Sequence, residues 1–180
     1  NAFLSMLEGA LSGKTGFTSS AGYCYVGALT RDGKTYIVAL LACGWPNNKT
    51  YKWSDTRKLM NYGLDNFQYQ NVWQEISLPK LPVKNAAPKN GNLYAATDIE
   101  LEIDGEEEIS ILLGKQEKVE ISLALLPELE APFEAGSQAG KVVYRLNGEI
   151  FASYPVVTVE GAEKLDFQWY LKWVEGVFLP

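Results

Sequence analysis

Ser12-Gly-Lys-Thr-Gly-Phe-Thr-Ser-Ser-Ala-Gly-Tyr-Cys24 is a glycine-punctuated run that leads into an apolar stretch at 23–29. The turn Thr30-Arg-Asp-Gly-Lys34 follows, and then the strand-like residues 35–42. An Asp-Gly pair between two β-rich runs is a hairpin signal, so the segment reads as strand, strand and hairpin: a β-meander. On the first strand Lys14, Gly16 and Thr18 face one way and Thr15 and Phe17 the other. The twist of an edge strand then lets both the Lys14 cation and the Thr15 hydroxyl reach an adjoining groove.

Outward from the meander, residues 47–67 carry a helical signature. Tyr51, Leu59, Tyr62 and Phe67 are apolar at near-helical spacing, with Asp55 early and Arg57-Lys58 in the middle. These apolar residues are expected to cover one face of the hairpin sheet. Residues 68–78 alternate in strand fashion, and Pro79-Lys-Leu-Pro-Val-Lys-Asn-Ala-Ala-Pro88 reads as a proline-rich connector. Beyond it the period is two. Strands are expected at 93–103, 108–113, 118–125, 140–146 and 149–159, with turns at Asp104-Gly105, Gly114-Lys115 and Asn147-Gly148. Short strands at this spacing imply an all-β sandwich.

From Gly161 the helical period returns. Leu165, Trp169, Trp173 and Val177 form one apolar row, with Tyr170, Val174 and Phe178 beside it. Lys164, Gln168, Lys172 and Glu175 mark the polar stripe. The expected fold is therefore mostly β, in three parts. A β-meander plus helix, the remnant of an α+β domain, occupies 1–67, a sandwich-like all-β domain 68–160, and an amphipathic helix 161–180.

Charge divides the same way. Seven basic residues face four acidic ones up to Asn66, and nine face eighteen from Phe67 onward, for a net charge of −6 over 180 residues. An acidic second half argues against nucleic acid, whose binding needs clustered Lys and Arg. No His is present, which excludes a Ser-His-Asp or Cys-His triad, and two Cys cannot build a four-ligand zinc site. Catalysis would have to rest on Lys, and no cofactor or metal is implied. Cys24 and Cys43 lie on the two arms of the hairpin, diagonal to each other if Arg31 faces Lys34. Both a bridge and two buried thiols are open readings. The run Glu106-Glu107-Glu108 beside a turn reads as a solvated edge. No signal peptide and no bilayer-spanning run is seen. Asn1-Ala2 reads as an added scar, and residues 3–11 enter a domain already under way, so an excised C-terminal portion is expected.

From Gly13 through Gly44-Trp-Pro-Asn-Asn-Lys-Thr-Tyr-Lys-Trp-Ser-Asp-Thr-Arg-Lys-Leu-Met-Asn-Tyr-Gly-Leu-Asp-Asn66 to Phe67, the sequence resembles the end of the transpeptidase domain of low-molecular-mass penicillin-binding proteins, the serine-type D-alanyl-D-alanine carboxypeptidases. Lys14-Thr15-Gly16 resembles the Lys-Thr-Gly element with which these enzymes and serine β-lactamases grip a carboxylate. Leu126-Pro-Glu-Leu-Glu-Ala-Pro-Phe-Glu-Ala-Gly136 and Gly140-Lys-Val-Val-Tyr-Arg-Leu-Asn-Gly-Glu149 look like the closing strands of the β-rich domain that follows in that family. The resemblance assigns Lys14 and Thr15 to a terminal D-Ala carboxylate and Gly16 to making room for the ligand. It assigns the Phe17 backbone N–H to an oxyanion, a role worth about 2.7–4 kcal/mol per donor. Thr18 and Lys52 would add polar contacts.

What the resemblance implies is an exported enzyme that trims the terminal D-Ala from peptidoglycan stem peptides through an acyl-enzyme and binds β-lactams. It would sit outside the cytoplasm, at the outer face of the cytoplasmic membrane or in the wall. The family's Ser-x-x-Lys and Ser-x-Asn motifs precede Lys-Thr-Gly, and neither precedes it here. Ser77-Leu-Pro-Lys80 and Tyr69-Gln-Asn71 match only formally and lie after it, so the chain alone is expected to be inactive. The terminal helix would rest on the membrane or pack on the sandwich or on another copy, and the uncovered hairpin sheet would drive self-association. Two other readings are a class A β-lactamase relative, disfavoured by the long segment after the helix, and a non-catalytic wall-binding β-module.

Overall fold

The structure is a computed structural model that describes residues 2–89, 92 and 97–178. The chain begins with a short helix α1 (Phe3–Met6) and strands β1 (Ala10–Thr18), β2 (Gly22–Arg31) and β3 (Lys34–Leu40). Helix α2 (Tyr51–Asn66) and strand β4 (Phe67–Asn71) follow. Then come β5 (Leu81–Lys84), β6 (Asp98–Ile99), β7 (Leu101–Ile103), β8 (Ser110–Gly114) and β9 (Val119–Leu125). The last elements are β10 (Leu129–Glu130), β11 (Gln138–Leu146), β12 (Glu149–Thr158) and helix α3 (Phe167–Phe178). Mostly strand, the chain divides into two compact units, Asn1–Asn71 with Ser110–Glu117, and Val72–Ile109 with Lys118–Pro180.

In the first unit the expected meander is present, in the order β1-β2-β3 with β1 at an edge. Arg31 pairs with Lys34 across the turn. Asp32 and Gly33 there take φ of 55° and 72°, the left-handed pair that an Asp-Gly hairpin turn requires. One face of this sheet is covered. Phe3, Tyr25, Leu29 and Val38 meet Met60 and Leu64 of α2, and each fully buried side chain of this size contributes roughly 1.5–3 kcal/mol. Gly13 and Gly27 make room for the Tyr25 ring, since a Cβ on either would lie 2.1 or 2.4 Å from its hydroxyl.

Helix α2 lies where the period placed it but turns the other way. Its buried residues are Lys52, Thr56, Met60, Gly63 and Leu64, whereas Tyr51, Leu59 and Tyr62 are exposed. The reason is local fit. Gly63 lets the Tyr36 ring approach to 3.0 Å of where a Cβ would be, and Tyr36 donates its hydroxyl to the Gly63 carbonyl at 2.9 Å. Lys34, only 8% exposed, donates to the carbonyls of Leu64 at 2.9 Å and Phe67 at 3.1 Å, a cation at the negative end of α2.

Strand β4 ends at Asn71, so the alternation at 68–78 yields a strand for only its first residues. It pairs with β8, Phe67 opposite Gly114 and Asn71 opposite Ser110. Residues 110–117 therefore join the first unit, although the sequence reading put them in the second domain.

In the second unit β7-β12-β11-β9 form one antiparallel sheet and β10-β5-β6 another. The proline-rich connector is partly a strand, because β5 pairs in parallel with β10 and antiparallel with β6, and Leu81 is buried. Pro82 lies in the central strand of this small sheet, where it withholds one ladder donor. Trp73, Ile76 and Leu78 have no regular structure and pack on the core built by Ile109, Val142, Tyr144 and Val156. Trp73 stacks on Tyr144 at 6.5 Å. The turn at Asn147-Gly148 has φ of 53° and 83°, again the expected hairpin. Of the strand expected at 93–103, residues 93–96 lie outside the described residues.

Residues 161–166 are not helical. Ala162 bridges Phe133 and Lys164 bridges Ala86, and α3 starts only at Phe167, where the Asp166 carboxylate accepts the Trp169 N–H at 3.0 Å. Such a side-chain acceptor satisfies one of the first-turn donors. Along α3 Trp169 is half-buried while Phe167, Tyr170, Leu171, Trp173 and Val174 are exposed. Trp169 and Trp173 stack at 6.2 Å and 12°. Among the described residues no helix is long and apolar enough to cross a membrane.

Candidate functional site

Strand β1 carries Lys14, Thr15, Gly16, Phe17 and Thr18, all exposed, on the edge of the meander. Lys14 pairs with Val26, Gly16 with Cys24 and Phe17 with Tyr23. By alternation Lys14, Gly16 and Thr18 share the sheet face opposite α2, together with Val26, Ala28 and Ile37. A shallow hollow of about 370 Å³ lies over Lys14, Val26, Ala28 and Ile37. Val26 and Ile37 are 45% and 75% exposed.

The Lys14 amine donates to the Thr15 carbonyl at 3.0 Å, a contact too local to hold any fold together. A Cβ built on Gly16 meets nothing within 4 Å, so packing does not require glycine there. Space is what glycine leaves. At the end of the strand Thr18 accepts the Ala21 N–H at 3.0 Å, and its hydroxyl lies 3.3 Å from that of Ser20. This hydroxyl turn closes β1 onto β2. Its signal in the sequence is the small polar run Thr18-Ser-Ser-Ala-Gly22.

On the opposite face the Phe17 ring lies 4.6 Å from that of Tyr23. Lys52 is not brought to the Lys14 side. Its amine donates to the Lys49 carbonyl at 2.6 Å and sits 4.3 Å over the Tyr23 ring and 5.0 Å over that of Trp53. This buried cation–π arrangement fastens α2 to the sheet behind Phe17.

The two cysteines are free. Cys43 directs both its N–H and its thiol to the Tyr23 carbonyl, at 2.7 and 2.9 Å, and burial pushes its thiol up from the ordinary range. Ser77 and Lys80 belong to the second unit. The Lys80 amine is paired with Glu100 at 2.8 Å, and this hydrogen bond holds its pKa above the usual lysine range.

Residues 77–164 match the family model described as penicillin-binding protein 5, C-terminal domain. The D-alanyl-D-alanine carboxypeptidase DacF of Bacillus subtilis (strain 168) is 23% identical, an alignment that covers 98% of this chain and 43% of that protein. The D-alanyl-D-alanine carboxypeptidase DacA of Haemophilus influenzae is 28% identical across 92% of this chain and 41% of its own length. Among solved structures, the D-alanyl-D-alanine carboxypeptidase DacD of Francisella tularensis superposes with a TM-score of 0.56 at 23% identity, covering 91% of this chain and 38% of that one. That likeness speaks to the fold. The chain spans about two fifths of the length of the curated relatives it matches over most of its extent. The match over 77–164 and the alignments to these enzymes support the reading of the chain as a C-terminal portion of a low-molecular-mass penicillin-binding protein.

Proposed function

We propose that this chain supplies the carboxylate-gripping edge strand and the C-terminal β-domain of an exported serine-type D-alanyl-D-alanine carboxypeptidase. The observation that carries the reading is the exposed Lys14-Thr15-Gly16 edge, where no packing contact calls for glycine at position 16. A peptide laid along that edge presents its terminal carboxylate to the Lys14 ammonium and the Thr15 hydroxyl, and Gly16 lets its backbone come close. A serine from the rest of the parent protein attacks the carbonyl between the last two D-Ala residues. The Phe17 N–H is one of two donors to the oxyanion, the terminal D-Ala leaves as the amine, and water hydrolyses the acyl-enzyme. β-Lactams enter the same groove and acylate the same serine. Thr18, tied to the turn by its bond to Ala21, positions the end of the strand.

Helix α3 is the membrane contact in this reading, and its exposed Trp and Tyr suit the lipid–water interface on the outer side of the cytoplasmic membrane. In this reading the chain alone is inactive, because neither Ser-x-x-Lys nor Ser-x-Asn occurs ahead of Lys14 in the sequence. Intact-mass measurement after incubation with penicillin is expected to show no adduct on this chain, and a stoichiometric acyl adduct on any of its serines would overturn the assignment. In the parent protein Lys14→Ala removes a charge-assisted hydrogen bond of about 1.5–3 kcal/mol. Acylation by penicillin then slows roughly ten- to a hundredfold, with the melting temperature unchanged. Normal acylation with a large loss of stability would make Lys14 structural.

A further inference from the structure

The exposed outer face of α2 ends in a cleft of about 330 Å³ at the junction of α2, β4 and the turn after β8. Two of its walls are aromatic. Tyr62, 60% exposed, and Phe67 stand edge to face at 6.1 Å and 71°. Gly114 forms part of the floor, where a Cβ would press to 3.2 Å on both the Phe67 ring and the Glu117 carboxylate. The rim is polar and braced. Lys115 donates its N–H to the Asn66 carbonyl at 3.1 Å, and Gly114 donates its N–H to Glu117 at 2.8 Å. The Asn66 amide nitrogen bonds the Tyr62 carbonyl at 2.9 Å, which leaves the amide oxygen to accept, and Gln116 adds a second carboxamide to the rim.

This chemistry narrows the ligand. One lysine beside one carboxylate is too little positive charge for a phosphate or a nucleic acid. A cleft half polar in its residues and this small does not suit an acyl chain. Aromatic faces with carboxamides beside them suit a neutral, flat ligand that carries both C–H faces and hydrogen-bonding groups. A pyranose has both, and an acetamido substituent adds a methyl for the rings and an amide for Asn66 and Gln116.

We infer that the Tyr62–Phe67–Gln116 cleft is a subsite for a β-linked N-acetylhexosamine glycan. This deepens the peptidoglycan reading and rests on it for the choice of sugar: the cleft would hold a glycan strand of the wall on the side of α2 turned away from the Lys14 edge. Tyr62 and Phe67, which helical periodicity assigned to the core, are thereby explained as a surface for stacking.

The test is titration of the full chain with β-1,4-linked N-acetylglucosamine tetramer, followed by ¹H–¹⁵N chemical shifts. Shifts are expected at Tyr62, Asn66, Phe67 and residues 114–117. Tyr62→Ala and Gln116→Ala each weaken binding by about fivefold or more. Tyr51→Ala, an exposed tyrosine on the same helix outside the cleft, leaves affinity unchanged, and near-ultraviolet circular dichroism confirms that all variants are folded. Cellotetraose, with hydroxyls in place of acetamides, binds several-fold more weakly. Absence of shifts at millimolar sugar, shifts confined to another surface, or undiminished binding by folded Tyr62→Ala would overturn the site. Equal binding of cellotetraose would overturn the amino-sugar assignment. No glycan binding by the unsubstituted chain, with the parent protein still acylated by penicillin, would sink this inference and leave the carboxypeptidase reading standing.

Discussion

Two glycines three residues apart, on either side of Lys14 and Thr15, do different work. A methyl group at position 13 would sit 2.1 Å from the Tyr25 hydroxyl, inside the packed face of the sheet, whereas one at position 16 meets open space. Gly13→Ala should therefore destabilise the chain by about 1–3 kcal/mol through overpacking. Gly16→Ala should leave the denaturation midpoint in place while slowing penicillin acylation of the parent protein. Equal losses of stability in the two variants would show that Gly16 serves the fold after all. Lys34 shows the converse, a charged residue with a structural role. Lys34→Met leaves the Leu64 and Phe67 carbonyls without their donor at the end of α2, and a loss of roughly 1.5–3 kcal/mol is expected in urea unfolding. An unchanged midpoint would mean that water replaces the ammonium at no cost.

At the scale of elements, the strands were legible where local rules govern them. Period-two alternation and the Asp32-Gly33 and Asn147-Gly148 turns were enough for β2–β3 and β11–β12, because hairpin register follows from the turn. Helix α2 was legible in extent but not in orientation. Its core face is made of Lys52, Thr56 and Gly63 as much as of Met60 and Leu64, and a hydrophobic count sees only the aromatics on the other side. The terminal helix α3 was expected to begin at Gly161, but 161–166 is held by backbone bridges to Phe133 and Ala86, a pairing invisible from local sequence. With most of its apolar side chains exposed, α3 should bind vesicles through its aromatic row. Co-sedimentation of the chain with and without residues 167–180 measures this, and equal recovery of both forms with lipid would assign the helix to protein packing instead.

For the whole molecule, the decisive physical fact is the meander sheet, covered on one side only. Phe3, Met60 and Leu64 close the α2 face, while Val26 and Ile37 on the Lys14 face meet solvent. Apolar area removed from water is worth roughly 25 cal/mol per Å², and the free β1 edge offers unpaired backbone groups beside it. The isolated chain is expected to self-associate through this face. Light scattering across a concentration series should show dimers that Val26→Thr with Ile37→Thr returns to monomer. A monomer at every concentration in the unsubstituted chain would show that this face is stable in water.

The sequence by itself determined the β-meander with its Lys14-Thr15-Gly16 edge, the two hairpin turns, the presence of α2 and the β-rich character of the second half. Each of these follows from residues close together in the chain: alternation, turn chemistry and a short motif. Only the tertiary structure decided which side of α2 faces the sheet, that β8 leaves its neighbours to pair with β4, and that part of a proline-rich connector becomes β5. It also decided that Lys52 is locked over Tyr23 and so stays away from the Lys14 groove. These outcomes turn on steric fit and hydrogen bonding between residues distant in sequence, such as Gly63 against Tyr36 or Phe67 against Gly114, and no local pattern carries that information.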